Sequence, residues 1–400
     1  MQRFYTSIIQ QQLRDHRKMI FICGPRQVGK TTIAKAIAQT YARSLYLNWD
    51  YPEDRLRITQ DYAGIAQELS QPVLGESRSL LILDELHKFK RWKNFIKGFF
   101  DKHGDSIDII VTGSAQLTTF SRTGDSLMGR YFPYTIHPIS LGETISDRHV
   151  LDDGLYQPCR SDAFHNLLQF GGFPEPFLKV DPRFALQWQN LRHQQLFKED
   201  IRDLAGVRDL QQMELLAMLL SQRVGQLVNY TSLANDIQIS NTTVRRWCSV
   251  LEATYFCYFL KPWSRNIRRS LVKEPKIYLW DWSLVDNHGA RFENCVASHL
   301  FKTIMFWNES GMGRFGLFFL RDKDQKEVDF VVTKNNEPWL LIETKKSDIK
   351  LSQNLLYFQA QTGAPYGLQV MQNMDYVDLS CFKKHKTIIV PAETFLSQII

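Results

Sequence analysis

Two glycines separated by four residues, followed by a lysine and two hydroxyls, form the densest chemical feature of the chain: Gly24-Pro25-Arg26-Gln27-Val28-Gly29-Lys30-Thr31-Thr32. Glycines at this spacing let backbone N–H groups curl around a phosphate, and a helix starting behind them adds partial positive charge at the same point. Lys30 would reach the β- and γ-phosphates of a nucleotide, and Thr31 would place its hydroxyl on Mg²⁺. The cofactors implied are ATP and Mg²⁺. The run Ser79-Leu80-Leu81-Ile82-Leu83 ends in Asp84-Glu85. Beside such a loop Asp84 would hold Mg²⁺ through water, and Glu85 would orient and deprotonate the attacking water. Ser114 follows the apolar run Ile107–Thr112; it can hydrogen-bond the γ-phosphate or the water, or simply sit in a turn. Arg130 closes Ser-Leu-Met-Gly-Arg; it can stabilise transition-state charge as a finger or sensor, or lie on the surface. Arg26 has a weaker claim to that role.

A second constellation lies near the C-terminus. Lys326–Val332 reads as a strand, Asn335-Asn336 as a turn, and Pro338–Lys345 as the returning strand. Period-two alternation puts Glu343 and Lys345 on one face. Folding about the turn sets Asp329 opposite residue 342, within one residue of Glu343. Convergent carboxylates can bind Mg²⁺ and activate water for phosphodiester cleavage, with Lys345 placing the water or offsetting phosphate charge. Glu293, near the start of an upstream helix, is a further carboxylate for the metal. The alternative is an inert remnant in which Asp329 and Glu343 are solvated strand ends.

Between these constellations, residues 228–253 read as helix, turn and helix. Val244, Trp247, Cys248 and Leu251 recur at i, i+3, i+4 and i+7, so they face a core. Ser240 or Asn241 can cap the second helix. Its outer face offers Asn241, Thr242, Arg245 and Ser249, the geometry of a recognition helix. Residues 261–276 then carry six basic side chains (Lys261, Arg265, Arg268, Arg269, Lys273, Lys276) and one acid, Glu274. A basic wing of this kind would grip phosphates without reading sequence. Contact with DNA through Thr242, Arg245, Arg265, Arg268 and Arg269 is one reading; a structural or protein-binding role is the other.

The elements that must position these residues follow from patterning. Apolar runs at Met19–Cys23, Ser44–Asn48, Leu80–Leu83 and Ile107–Thr112 alternate with helical stretches, an α/β pattern. Helices follow from about residue 150, and a second α/β pattern begins near 286. The expected organisation is a nucleotide-binding domain over 1–148, a helical lid or linker over 149–205, a winged helix-turn-helix over 206–285, and an α/β tail over 286–400. Four hundred residues exceed one core. A charged fraction of 23% with 44% apolar residues argues against a largely disordered or fibrous chain. The net charge of +7 permits a nucleic-acid partner without requiring one. Six scattered cysteines without a C-x-x-C pair argue against zinc ribbons and fit a reducing, cytoplasmic setting. No apolar run approaches the roughly 20 residues that would span a bilayer, and the first residues lack the apolar core of a signal peptide.

GPRQVGKTT, LLILDELHKF, IIVTGSAQL and SLMGRYFPYTIHPISLGE together resemble the AAA+ module of a group of prokaryotic ATPases. The resemblance implies a sheet of strand order 5-1-4-3-2, with Lys30, Thr31, Asp84 and Glu85 as nucleotide residues and Ser114 as sensor. Arg130 takes the group's Gly-Arg position, acting within one subunit or across an interface. Gly171–Pro174, Glu199–Ile201 and Leu233–Asp236 are similar to the group's second region. Asp329 and Glu343-Thr344-Lys345 look like the PD-(D/E)XK nuclease pattern, although no proline precedes Asp329. The expectation is a Mg²⁺-dependent ATPase with a winged helix, a restriction-endonuclease-like tail and DNA as partner, in a possible homo-oligomer. The alternatives are a metal-dependent DNA nuclease regulated by ATP, and a nucleotide-gated scaffold that recruits a protein.

Overall fold

The structure is a computed structural model that describes residues 3–70, 78–113, 127–145, 155–202, 209–264, 273–348, 350–383 and 386–400. It divides into two compact units, Met1–His137 and Pro138–Ile400.

In the first unit the apolar runs become the parallel strands β1 (Met19–Cys23), β2 (Ser44–Asn48), β3 (Ser79–Asp84) and β4 (Ile107–Thr112), with β5 (Tyr131–Thr135) at the edge. Every residue of β1, β3 and β4 is buried, as expected of strands covered on both faces. The order is β2-β3-β4-β1-β5, the order the resemblance implies. The helices are α1 (Tyr5–Asp15), α2 (Lys30–Ala38), α3 (Pro52–Gln60), α4 (Tyr62–Ser70) and α5 (Trp92–His103). The α2 helix buries the stripe Ile33, Ala34 and Ile37. Because the strands are parallel, their C-terminal ends share one edge, and this edge carries both the Gly24–Thr32 loop and Asp84.

The second unit opens with α6 (Ala163–Phe170), α7 (Pro174–Lys179) and α8 (Pro182–Gln195), which runs into a π-helical turn over Leu196–Ile201. Then come α9 (Leu210–Ser221), α10 (Tyr230–Asp236), α11 (Asn241–Ala253) and an antiparallel pair, β6 (Cys257–Leu260) with β7 (Lys276–Leu279). Asn229 caps α10 and Ser240 caps α11 through side-chain oxygens. Val244, Trp247, Cys248 and Leu251 are the buried residues of α11, the stripe that periodicity predicts.

The 22-residue helix α12 (His288–Glu309) leads into a five-stranded sheet, β12-β11-β10-β9-β8. Its strands are β8 (Phe315–Arg321), β9 (Glu327–Lys334), β10 (Glu337–Lys345), β11 (Tyr366–Met371) and β12 (Thr387–Pro391). Strand β9 is antiparallel to both neighbours, whereas β11 runs parallel to β10 and β12. The parallel step is made by the crossover helix α13 (Gln353–Thr362), and α14 (Ala392–Leu396) follows β12. The β9–β10 register shifts between Pro338 and Leu340, after which Ile342 pairs with Phe330. Continued one step, this register puts Asp329 across from Glu343 itself rather than residue 342. The β6 end joins the same sheet: Trp263 N–H donates to the Phe319 carbonyl at 2.7 Å, and Phe319 N–H to that of Lys261 at 3.2 Å. Among the described residues, no helix is long and apolar enough to cross a membrane.

Candidate nucleotide site and tail carboxylates

The loop after β1 is shaped by backbone that favours glycine. Gly24 (φ +135°) passes so near the next strand that a Cβ there would lie 2.5 Å from the Ile136 carbonyl oxygen. Gly29 (φ +99°) turns the chain into α2. Lys30 is buried, and its Nζ donates to the carbonyls of Gly24 (3.0 Å) and Pro25 (2.7 Å). The ammonium is thereby held inside the loop it would share with a phosphate. Val28 is fully buried, Gln27 and Thr32 are exposed, and Arg26 is half-buried.

Behind the loop, Thr31 Oγ1 donates to Asp84 Oδ2 at 2.9 Å. The Tyr46 hydroxyl donates to the same oxygen at 2.6 Å, and the Thr112 hydroxyl bonds Asp84 Oδ1. The buried carboxylate is thus oriented by three hydroxyls. Burial, and then the contact with Asp84, raise the Tyr46 pKa, so this phenol stays protonated and donating. A hydroxyl and a carboxylate in direct contact are the hard oxygen donors that Mg²⁺ takes, so Thr31 and Asp84 fit the ion.

Glu85 adopts φ +55°, and its N–H donates to the Thr112 carbonyl at 3.1 Å. Its carboxylate lies 3.4 Å from Lys88 Nζ and 3.7 Å from His87 Nε2. Burial lowers the His87 pKa, which keeps the ring neutral. Next to Asp84, Trp49 N–H donates to the Asp84 carbonyl at 3.0 Å, and its ring stacks on Phe89 at 4.8 Å.

Two residues important to this geometry carried no signal in the sequence. Tyr46 is one. Arg3 is the other: it is buried and donates from Nη1 to the Val28 carbonyl (2.8 Å) and from Nη2 to that of His137 (2.6 Å). It braces the phosphate loop against the chain just beyond β5. An arginine before the first helix is anonymous until the fold brings it under the loop; the alternating strand Ser44–Asn48 does at least mark Tyr46 as a strand residue.

Arg130 stands elsewhere. Its carbonyl accepts from Met19 N–H at 2.9 Å, at the N-terminal end of β1. The phosphate loop leaves the other end, about 16 Å away at roughly 3.3 Å per strand residue. The guanidinium pairs with Asp101 at 2.7 Å. Ser114 lies outside the described residues, as do Arg265, Arg268 and Arg269.

On α11, Thr242 and Arg245 are exposed. Arg245 Nε donates to Asn241 Oδ1 at 2.9 Å, and its guanidinium lies 4.2 Å from the Tyr230 ring centroid, so this cation is held in a fixed place. Lys276 departs from the expected basic run. It is 3% exposed and points into the protein.

The tail carboxylates come together around that lysine. Lys276 Nζ lies 2.6 Å from Glu327 Oε1, 3.5 Å from Glu293 Oε1 and 4.0 Å from Asp329 Oδ1. Glu343 is buried beside them, with Oε1 2.9 Å from Lys345 Nζ. Burial, with Asp329 adding to it, pushes both Glu293 and Glu343 up to about 7. Among the described residues, no group of three or more His, Cys, Asp or Glu side chains is arranged to hold a metal ion. Of the residues the pattern names, Glu293 and Asp329 face the same Lys276 ammonium, and Glu343 pairs with Lys345. The sequence reading missed Lys276 and Glu327, which complete the cluster.

Residues 16–145 match a family model described as an AAA domain. The N-terminal unit is a P-loop ATPase-like domain. Residues 161–291 and 288–393 match two further models, each described as a domain of unknown function. An uncharacterized protein of Haemophilus influenzae is 23% identical over 82% of this chain and 82% of its own. One from Methanocaldococcus jannaschii is 22% identical over 80% of this chain and 73% of its own. Among solved structures, a Walker-type ATPase of Pyrococcus abyssi is similar at 13% identity and TM-score 0.42, covering 72% of this chain and 94% of that one. AMPPCP-bound DnaA from Aquifex aeolicus gives 13% identity and TM-score 0.30, over 62% and 86%. The AAA match, together with the loop geometry, supports nucleotide-dependent ATPase activity.

Proposed function

We propose that the chain is a Mg²⁺-dependent ATPase whose nucleotide state governs a C-terminal unit that binds DNA. The observation that carries the ATPase part is the direct Thr31–Asp84 hydrogen bond beside a lysine held in the loop. Thr31 and Asp84 would hold Mg²⁺, which supplies charge neutralisation on the phosphates. Lys30 would exchange its loop carbonyls for phosphate oxygens, and the amides at the start of α2 would bind the same anion. Glu85, next in the chain to the metal carboxylate, would accept the proton of the attacking water. Arg130 sits at the far end of its own sheet, which favours action on a neighbouring subunit's nucleotide over its own.

Glu85→Gln is expected to bind ATP as the unaltered protein does and to lose turnover by at least two orders of magnitude. Undiminished hydrolysis would reject Glu85 as the base.

DNA as the partner is supported by the helix–turn–helix pair α10–α11, the antiparallel pair β6–β7 that follows it in the chain, and the exposed Thr242, Arg245 and Arg246 of α11. Duplex binding should fall steeply with salt, and Arg245→Glu with Arg246→Glu should weaken it and flatten the salt slope. Affinity indifferent to both would point to a protein partner instead.

A further inference from the structure

We propose that Lys276 is a built-in cation that occupies the carboxylate cluster of the tail and closes it to divalent metal ions. A nuclease-like reading of Asp329, Glu343 and Glu293 calls for such an ion, and the residues present do not fit one. The oxygens an ion would need are Glu327 Oε1, Glu293 Oε1 and Asp329 Oδ1, and all three face the same ammonium, at 2.6, 3.5 and 4.0 Å.

Glu343 Oε2 is buried and accepts no hydrogen bond, but other oxygens around the lysine are committed as well. Glu327 Oε2 accepts from Arg321 Nη1 at 2.9 Å. Asp329 Oδ2 accepts from the Thr344 N–H (2.8 Å) and hydroxyl (2.7 Å). Glu293 Oε1 also accepts from the Tyr278 hydroxyl at 2.7 Å. The Phe319 ring, its centroid 5.6 Å from Nζ, covers the ammonium. A divalent ion would have to displace a lysine that is 3% exposed from three acceptors at once.

The lysine is fixed by backbone as well as by charge. It is the first residue of β7, bridged on one side to Leu227 and on the other to Leu260. Gly225, in the same neighbouring segment, approaches the Glu293 carboxylate so closely that a Cβ would lie 3.0 Å from it. The Leu260–Lys276 end of the β6–β7 pair is thus pinned to β9 and α12. Withdrawing the ammonium would remove the cation that Glu327, Glu293 and Asp329 share, the condition in which a cluster of oxygens takes up a metal.

The test is Mn²⁺ binding by the full-length, nucleotide-free protein, followed by electron paramagnetic resonance. The unaltered chain should show no site tighter than about 1 mM that Asp329→Asn removes, and Lys276→Gln should gain one that a second change, Asp329→Asn, removes. If the unaltered chain binds Mn²⁺ and Asp329→Asn abolishes it, the lysine does not close the cluster and the proposal is wrong. A folded Lys276→Gln protein that gains no site overturns it equally. Should Lys276→Gln fail to fold, the comparison of the unaltered chain with Asp329→Asn decides alone, since it needs no change at the lysine.

Discussion

Asp84 is buried, yet it is surrounded by the hydroxyls of Thr31, Tyr46 and Thr112. One carboxylate thereby has a fixed orientation, with Thr31 the donor that would move to the metal. Tyr46→Phe deletes one bond to a charged acceptor, a loss of roughly 1.5–3 kcal/mol for such bonds. We expect it to raise the Mg²⁺ concentration needed for half-maximal turnover at least several-fold while the nucleotide still binds, as a Mg²⁺ titration of ATP hydrolysis would show. In the tail, Glu343 has a folded-state pKa of about 7 against 4.5, so the folded protein binds its proton more tightly than the unfolded chain does. Its contribution is then most favourable at low pH and is lost as pH rises from about 4.5 through 7. Glu343→Gln, which is neutral throughout, should be stabilised relative to the parent by on the order of 1–3 kcal/mol above pH 7, and not at pH 4.5 or below. Denaturant melts of both proteins at pH 4.5, 6 and 8 check the sign; a difference that grew toward acid would reject it. Residues of this kind were legible in type but not in state. Asp329 and Glu343 could be paired from the turn, whereas the charge on Glu343 depends on burial that only packing creates.

The apolar strands and the glycine loop were legible element by element, because a parallel strand buried on both faces must be apolar throughout and a tight turn must carry glycine. The β9–β10 hairpin was legible to within one residue. The missing residue is the register shift between Pro338 and Leu340, a local insertion that alternation alone does not signal. Arg3 was not legible, because its two acceptors lie 25 and 134 residues away. Its bonds to Val28 and His137 tie the loop to the strand edge. Arg3→Ala should therefore weaken nucleotide binding about tenfold or more, at the 1.5–3 kcal/mol expected for a charged donor's bonds. Arg3→Lys, with one ammonium for two carbonyls, should recover only part of it. Calorimetric titration with a non-hydrolysable nucleotide measures both; unaltered affinity in Arg3→Ala would reduce Arg3 to a packing residue.

At the level of the whole molecule, the position of Arg130 carries the sharpest consequence. An arginine at the end of the sheet remote from its own phosphate loop can serve a second copy of the chain. If Arg130 acts between copies, Lys30→Ala and Arg130→Ala should each be inactive alone, and an equimolar mixture should regain a measurable share of ATPase activity, because a mixed assembly would pair an intact loop with an intact arginine. A mixture as inactive as its parts would remove Arg130 from catalysis between subunits. The basic run 261–276 shows where charge counting along a chain fails: Lys276 has the composition of a DNA-facing wing and the environment of an internal counter-ion, and only the strand register separates the two. Finally, the indole of Trp49 sits one backbone hydrogen bond from Asp84 and lies flat on Phe89. Trp49 and Trp92 are the only tryptophans before residue 188, so the nucleotide edge carries its own optical label. Emission that changes on adding ATP and is silent in Trp49→Phe would let each turnover be followed in real time, without any dye attached.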